Sequence, residues 1–136
     1  MHGFKGERTL MRIHIGERDK YHGKPLYQAI VEVLRQRHYA GATVIRAIMG
    51  FGASSRLHTN RIEVLSLDLP IVIECVDTEE KIAAILPELD DMLGGGLITL
   101  ERARVIMYRP DVPPEDRTGS WPIEQTGRWQ SEPLGD

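Results

Sequence analysis

The sequence predicts an α+β fold, a ferredoxin-like βαββαβ sandwich in which an antiparallel sheet carries two helices on one face. Three observations predict it. Residues 9–15 alternate between apolar and mixed positions, two segments place apolar residues at helical spacing, and two further strand-like runs flank a long polar loop. The 136 residues suffice for one compact domain, and 41% of them are hydrophobic, as is ordinary for a globular protein.

The first strand and the first helix are predicted from their periodicities. Residues 9–15 have the two-residue period of a half-buried strand. Residues 25–38 have the spacing of an amphipathic helix, with Pro25 tolerated in the first turn and Gly41 placed to help stop it. The apolar strand face comprises Met11, Ile13 and Ile15, and the helix stripe comprises Leu26, Ile30, Val33, Leu34 and Arg37.

The second and third predicted strands, residues 42–51 and 65–76, lie on either side of the long loop. Two right-handed βαβ units then put both helices on one side of the sheet. The other face is expected to carry Arg12, His14, Arg46 and Glu74 among apolar residues. Such a mixed face is costly to leave in water, so we expect oligomerisation through it; a solvated face is the alternative.

The second helix and the fourth strand complete the fold. Residues 77–80 resemble a capping box, with acidic residues where the helix dipole favours them. Three glycines, Gly94, Gly95 and Gly96, end the helix, and the fourth strand follows at Leu97–Tyr108. The stripe of this helix comprises Ile82, Ile85, Leu86, Leu89, Met92 and Leu93.

The last 27 residues differ in composition from the rest. Residues 110–136 hold five of the eight prolines and both tryptophans, Trp121 and Trp129. We therefore divide the chain into a domain, residues 1–109, and an acidic tail, residues 110–136. The tail is either disordered or an arm anchored by its two indoles. The domain carries 15 Lys and Arg against 14 Asp and Glu, so it has no basic field and we expect no nucleic-acid partner.

The residue pattern gives no support for catalysis or for a metal site, so we expect a protein that is not an enzyme. The five histidines lack metal-ligand spacing, and the lone Cys75 lies in an apolar strand where a packing role is expected. Ser54 or Ser55 with His58 and Asp68 lacks the nucleophile-elbow context of a triad. Adjacent acids on the second helix, Asp90 and Asp91, are expected on a solvated surface.

The chain also lacks the signals of export and membrane insertion. No apolar stretch reaches the roughly 18 residues of a membrane span. The first residues lack the apolar core of a signal peptide. We therefore expect a cytoplasmic protein.

Two glycine-rich turns are the candidate ligand contacts. Gly50-Phe51-Gly52 lets backbone amides approach an anion, although a simple bend at a strand end is the alternative. Arg46, Arg56, His58 and Arg61 lie on or near this loop, where guanidinium groups suit phosphate oxygens; an ordinary solvated loop is the alternative. Gly94-Gly95-Gly96 has more glycines than a helix end requires, which suits a backbone turn around a ligand.

Several runs of residues resemble the domain of unknown function 190 family. They occur in the family's order, with its gaps, and span about residues 8–109. The resemblance extends to the wider PII-like nitrogen-regulatory superfamily of signalling proteins. The runs are residues 16–19, 23–27, 40–44, 50–56, 68–74 and 97–101.

The resemblance implies a homotrimer that binds an adenine nucleotide, AMP, ADP or ATP, in the clefts between subunits. One wall of each cleft would be formed by Gly50, Phe51, Gly52 and Arg56, and the other by Gly94, Gly95, Gly96 and Leu97. Arg46 and His58 complete the candidate set. We expect the phosphates to lie towards both glycine-rich turns and the arginines.

The resemblance also implies a regulatory role and leaves alternatives. Loop 50–64 would contact a regulated partner protein, with a membrane transporter or channel as the candidate class. One alternative is a small trimeric enzyme with its active site in the same intersubunit cleft. Another is a metal-linked trimer of the CutA type, against which the scattered histidines and the lone cysteine argue.

Overall fold

A computed structural model describes residues 4–52 and 68–109 of the chain. Four strands form one sheet in the order β4-β5-β1-β6, and two short strands form a separate hairpin. The predicted βαββαβ order and α+β class are confirmed. The elements are β1 (Phe4–Gly16), β2 (Lys20–Tyr21), β3 (Lys24–Pro25), α1 (Leu26–Gln36), β4 (Thr43–Arg46), β5 (Pro70–Asp77), α2 (Glu79–Met92) and β6 (Leu97–Tyr108).

The chain forms two compact units. Of the described residues, 9–52 and 68–101 belong to the larger unit, and residues 4–8 and 102–109 belong to the other. In that second unit, Arg102 Nε lies 3.3 Å from Glu7 Oε1. The predicted boundary at residue 109 stays a prediction, because the tail 110–136 lies outside the described residues.

The hydrophobic core of residues 9–101 lies on one face of the sheet, here called the covered face. Its strand residues are Met11, Ile13, Ile15, Ile71, Ile73 and Cys75, all buried. Antiparallel pairing sets Met11 opposite Cys75 and Ile13 opposite Ile73, and directly opposed residues point to the same side of a sheet. Burial of each such side chain stabilises the fold by about 1.5–3 kcal/mol.

Helix stripes complete this core much as the periodicity predicts. Leu26, Ile30 and Leu34 of α1 and Ile82, Ile85, Leu89 and Met92 of α2 are buried. Val33, Leu86 and Leu93 are half-buried against the cluster. Arg37, predicted on the stripe, is exposed instead and pairs with Glu88 at 2.8 Å.

Cys75 occupies a packing position, as its apolar strand predicts. Its side chain is 2% exposed. Burial raises the pKa of the thiol to about 12, and the nearby Asp77 carboxylate adds to that rise. The thiol is therefore neutral in the folded chain and acts as a small apolar group.

The two helices begin and end differently. Thr78 is the N-cap of α2, where its Oγ1 accepts a hydrogen bond from Lys81 N at 3.2 Å. The expectation that Gly41 stops α1 is wrong. His38 takes the left-handed conformation at φ 60°, and Tyr39 N donates to Leu34 O at 3.0 Å. This is a Schellman ending in which histidine replaces the usual glycine.

Strand β4 is shorter than the predicted residues 42–51. Ala47 N donates to Pro70 O at 2.9 Å, but Pro70 has no N–H with which to return a bond. The ladder therefore ends at Arg46. The predicted third strand also starts later than expected, at Pro70; residues 65–67 lie outside the described part.

The register of β4 corrects one placement. Arg46 lies opposite Ile71, whose side chain belongs to the covered face. Arg46 is therefore on that side of the sheet and does not share a face with Arg12 and Glu74, as was expected. The predicted polar connection of residues 16–24 contains strand β2 and the start of the β2–β3 hairpin, whose two-residue strands are too short to show a period.

Candidate functional site

A pocket of about 670 Å³ opens where α2 ends and β6 begins. We call it the α2–β6 pocket. It is lined by Ala83, Leu86, Pro87 and Asp90 of α2 and by residues 93–98. The four predicted site residues of this turn, Gly94, Gly95, Gly96 and Leu97, all lie in its wall. Its volume falls within the roughly 300–1,000 Å³ of small-molecule sites.

The three glycines of this turn have different roles. Gly96 has φ 135°, and a Cβ there would lie 2.6 Å from the His14 carbonyl oxygen. The close approach of the turn to β1 therefore requires glycine at this position. At Gly94 and Gly95 no atom lies within 4 Å of where a Cβ would be. Neither packing nor positive φ explains these two glycines, so they are the better candidates for close contact with a ligand.

The second half of the predicted site lies just after β4. Arg46 Nη2 is 2.5 Å from Glu17 Oε1, and the Arg46 side chain is 61% exposed. Gly50 is confined by the fold, because a Cβ there would lie 3.0 Å from Pro70 Cγ. Phe51 is 69% exposed. An exposed arginine beside exposed backbone is suited to an anion, since its fork of N–H groups matches phosphate oxygens.

Sheet order places the two halves of the predicted site apart. Strands β4 and β6 are opposite edges of the sheet, with β5 and β1 between them. Three strand spacings separate them, about 14 Å. Both halves are at the same end of the sheet. Arg46 pairs with Ile71, the neighbour of Pro70, which pairs with Gly16, and Gly96 lies against His14, two residues before Gly16. The structure thus gathers Gly94–Leu97 in one pocket and leaves Arg46 and residues 50–52 outside it.

Two predicted site residues, Arg56 and His58, lie outside the described residues. Conversely, sequence reasoning missed Ala83, Pro87 and Asp90 as pocket-lining residues and Glu17 as the partner of Arg46. A proline inside an amphipathic helix was a visible signal for the pocket. No sequence signal distinguished Asp90 as a pocket residue, because its neighbour Asp91 has the same chemistry.

The face of the sheet without helices, here called the open face, carries an ion-pair row. Arg12 Nε lies 2.8 Å from Glu74 Oε2, and Arg12 Nη1 also contacts Glu101 Oε1. One cation between two carboxylates leaves a net charge of −1 in this row. The next row pairs His14 with Val72 and Val72 with Ile45. The expected mixture of charged and apolar residues on this face is confirmed for Arg12, His14 and Glu74.

Two further expectations concern metals and membranes. Across residues 4–52 and 68–109, no three His, Cys, Asp or Glu side chains are placed to hold a metal ion. Over the same ranges, neither helix is long and apolar enough to span a bilayer.

Comparison with known proteins identifies relatives over most of the chain. The family model DUF190, described as Uncharacterized ACR, matches residues 8–105. A UPF0166 protein of Aquifex aeolicus is 39% identical over 100 residues, which are 74% of this chain and 94% of that protein. A UPF0166 protein of Methanocaldococcus jannaschii is 36% identical over 97 residues, 71% of this chain and 89% of that one. The matched range includes both halves of the predicted site.

Proposed function

This chain belongs to the DUF190 family, and we propose that it is a non-catalytic, PII-like trimeric signalling protein. In this proposal an adenine nucleotide binds between subunits, and loop 50–64 regulates a partner protein. The candidate partner class is a membrane transporter or channel, and the candidate compartment is the cytoplasm. Membership of the PII-like superfamily is part of the proposal.

One observation supports an intersubunit site more than any other. The two candidate halves lie at the same end of the sheet but on opposite edges, about 14 Å apart in one subunit. If two copies of the chain lie edge to edge, the first half of one copy comes next to the second half of the other. One ligand can then contact both halves. Such an edge-to-edge contact is head-to-tail, and head-to-tail contacts close into a ring when the rotation allows.

The open face supports association of subunits. It is half-exposed and holds apolar residues, such as Val72 and Ile45, beside the ion-pair row. A mixed surface of this kind is typical of an interface between proteins. The net negative row centred on Arg12 would also discriminate among partner surfaces by charge.

The Arg46 half suits the phosphate end of a nucleotide. A guanidinium has five N–H donors, so the pair with Glu17 leaves room for phosphate oxygens at the same group. Gly52 follows closely, and a Cβ there would meet no atom within 4 Å. Backbone and guanidinium donors together would give charge-assisted hydrogen bonds.

Subunit mixing tests this proposal sharply. The double variant Arg46→Ala/Arg56→Ala removes the cations of one half, and Gly95→Trp fills the pocket of the other half. Each variant alone should bind no ATP by calorimetry. Co-expressed in equal amounts, they should recover about a quarter of the sites, because a random ring joins two intact halves at that frequency.

Four results would contradict parts of the proposal. No recovery in the mixed protein would place any site within one subunit. No heat with AMP, ADP or ATP on the unaltered protein would overturn nucleotide binding, and a light-scattering mass well below about three times 15.4 kDa would overturn the trimer. Phosphate release during the titration would favour the enzyme alternative, whose site occupies the same cleft.

A further inference from the structure

The α2–β6 pocket offers a ligand hydrogen-bond acceptors and negative charge. Asp90 is the only formally charged residue among the described residues that line it. Helix α2 has 14 residues and no basic residue in its last turn. At the pocket, the negative end of the α2 dipole is therefore not compensated by a lysine or arginine of the helix's own last turn.

Pro87 leaves one backbone carbonyl of α2 without its usual helical donor. It lies inside α2, and because proline has no N–H it cannot donate to the carbonyl of Ala83, four residues earlier. Ala83 and Pro87 both line the pocket. The last four carbonyls of α2 have no donor within the helix. Leu89 O accepts instead from Leu93 N, at the C-cap, at 2.9 Å.

The negative charge and the hydrogen-bond acceptors of this pocket disfavour an anion. They favour a ligand group that carries hydrogen-bond donors. A phosphate in this pocket would meet a carboxylate and the negative end of a helix, both repulsive. An amine or a hydroxyl would instead find acceptors. The apolar walls, from Leu86, Leu93 and Ile98, suit a flat ring that is only weakly hydrated.

We propose that the α2–β6 pocket binds the nucleoside part of the nucleotide and that Asp90 is the residue that selects it. This inference rests on the proposed function, whose ligand it orients. Asp90 accepts hydrogen bonds from the amine or hydroxyl groups of the nucleoside, and the phosphates point out of the pocket towards Arg46 of the adjacent copy. The assignment reverses the expectation that phosphates lie against Gly94–Gly96.

Adjacent carboxylates on α2 supply a matched control. Asp91 is exposed, as Asp90 is, but does not line the pocket. The experiment measures calorimetric affinities of ATP, adenosine and inorganic tripolyphosphate for the unaltered protein, Asp90→Ala and Asp91→Ala. Amide NMR shifts of Gly94 and Gly95 report independently whether each probe reaches the pocket.

The expected result is a selective loss. Asp90→Ala should weaken adenosine and ATP about tenfold to a hundredfold, which is the range for a hydrogen bond to a charged group. Asp91→Ala should change either affinity by less than about twofold, because a solvated charge outside the pocket is screened. Tripolyphosphate should bind both variants as it binds the unaltered protein, without shifting the Gly94 and Gly95 amides.

The contrary outcomes separate this inference from the proposed function. If Asp90→Ala strengthens binding of ATP and tripolyphosphate, the phosphates occupy the pocket and the inference fails, while nucleotide binding stands. If ATP binds and Asp90→Ala leaves every affinity unchanged, the inference also fails alone. If neither ATP nor adenosine binds the unaltered protein, both proposals fail.

Discussion

The covered and open faces of one sheet are built from alternate residues of the same strands, yet they differ in almost every property. Ile13 and Ile73 on the covered face are both 0% exposed. Their chain neighbours Arg12 and Glu74, on the open face, have side chains 35% and 28% exposed. This difference in exposure shows that alternate residues of one strand contribute to two different surfaces. One set stabilises the fold, and the other set stays partly exposed to solvent.

The largest expected effect comes from a cavity in the covered face. Ile73→Ala should lower the free energy of unfolding by about 2–5 kcal/mol, since the surrounding core closes only partly around the lost methyl groups. Val72→Ala, one residue away on the open face, should lower the free energy of unfolding by less than about 1 kcal/mol. Urea unfolding at matched protein concentrations measures both changes. Equal losses would mean that the two faces do not differ as described.

A smaller effect is expected where the turn from α2 meets β1. Gly96→Ala puts a Cβ 2.6 Å from the His14 carbonyl oxygen at φ 135°, and the strain should cost about 1–3 kcal/mol. Gly95→Ala meets open space and should leave stability unchanged or raise it by about 0.4–1 kcal/mol, by restricting the unfolded chain. Thermal unfolding of the two variants side by side checks the contrast. A Gly96→Ala protein as stable as Gly95→Ala would refute the role assigned to Gly96.

The smallest stability effect is expected in the ion-pair row. Arg12→Met removes the cation between Glu74 and Glu101, and because these groups are partly solvated the loss should be no more than about 1 kcal/mol. The loss should shrink at high ionic strength, where the two carboxylates repel each other less. Adding Glu74→Gln should recover part of it in a double-mutant cycle. A loss as large as that of Ile73→Ala would show that this row belongs to the core.

Much of the fold could be predicted because a sheet covered on one face imprints a period of two on its central strands. Met11, Ile13 and Ile15 showed that period, and all three are buried. Residues 77–80 resembled a capping box, which marked the start of α2 to within a residue; the N-cap is Thr78, whose Oγ1 accepts a hydrogen bond from Lys81 N. The same logic failed at Arg46, because β4 is an edge strand with all four residues exposed. The sequence of β4 therefore does not indicate which of its residues face the helices. The register, which sets Arg46 opposite Ile71, determines it.

The candidate site was predictable in part for a similar reason. An excess of glycine after an amphipathic helix marked Gly94 and Gly95 before any geometry was known. The position of Asp90 in the pocket wall was not visible, because Asp90 and Asp91 are chemically identical neighbours and only the rotation of α2 on the sheet separates them. The short hairpin β2–β3 escaped notice because two residues cannot show a period.

Pro70 has a consequence for the evolution of the loop that precedes it. Because its missing N–H ends the β4–β5 ladder at Arg46, the point where the chain leaves the sheet is set by a covalent property of a residue downstream. Residues can be inserted or deleted between Ala47 and Pro70 without moving the register of Arg46 on Ile71. The sheet edge thus holds both ends of this segment in fixed positions, whatever the length of chain between them.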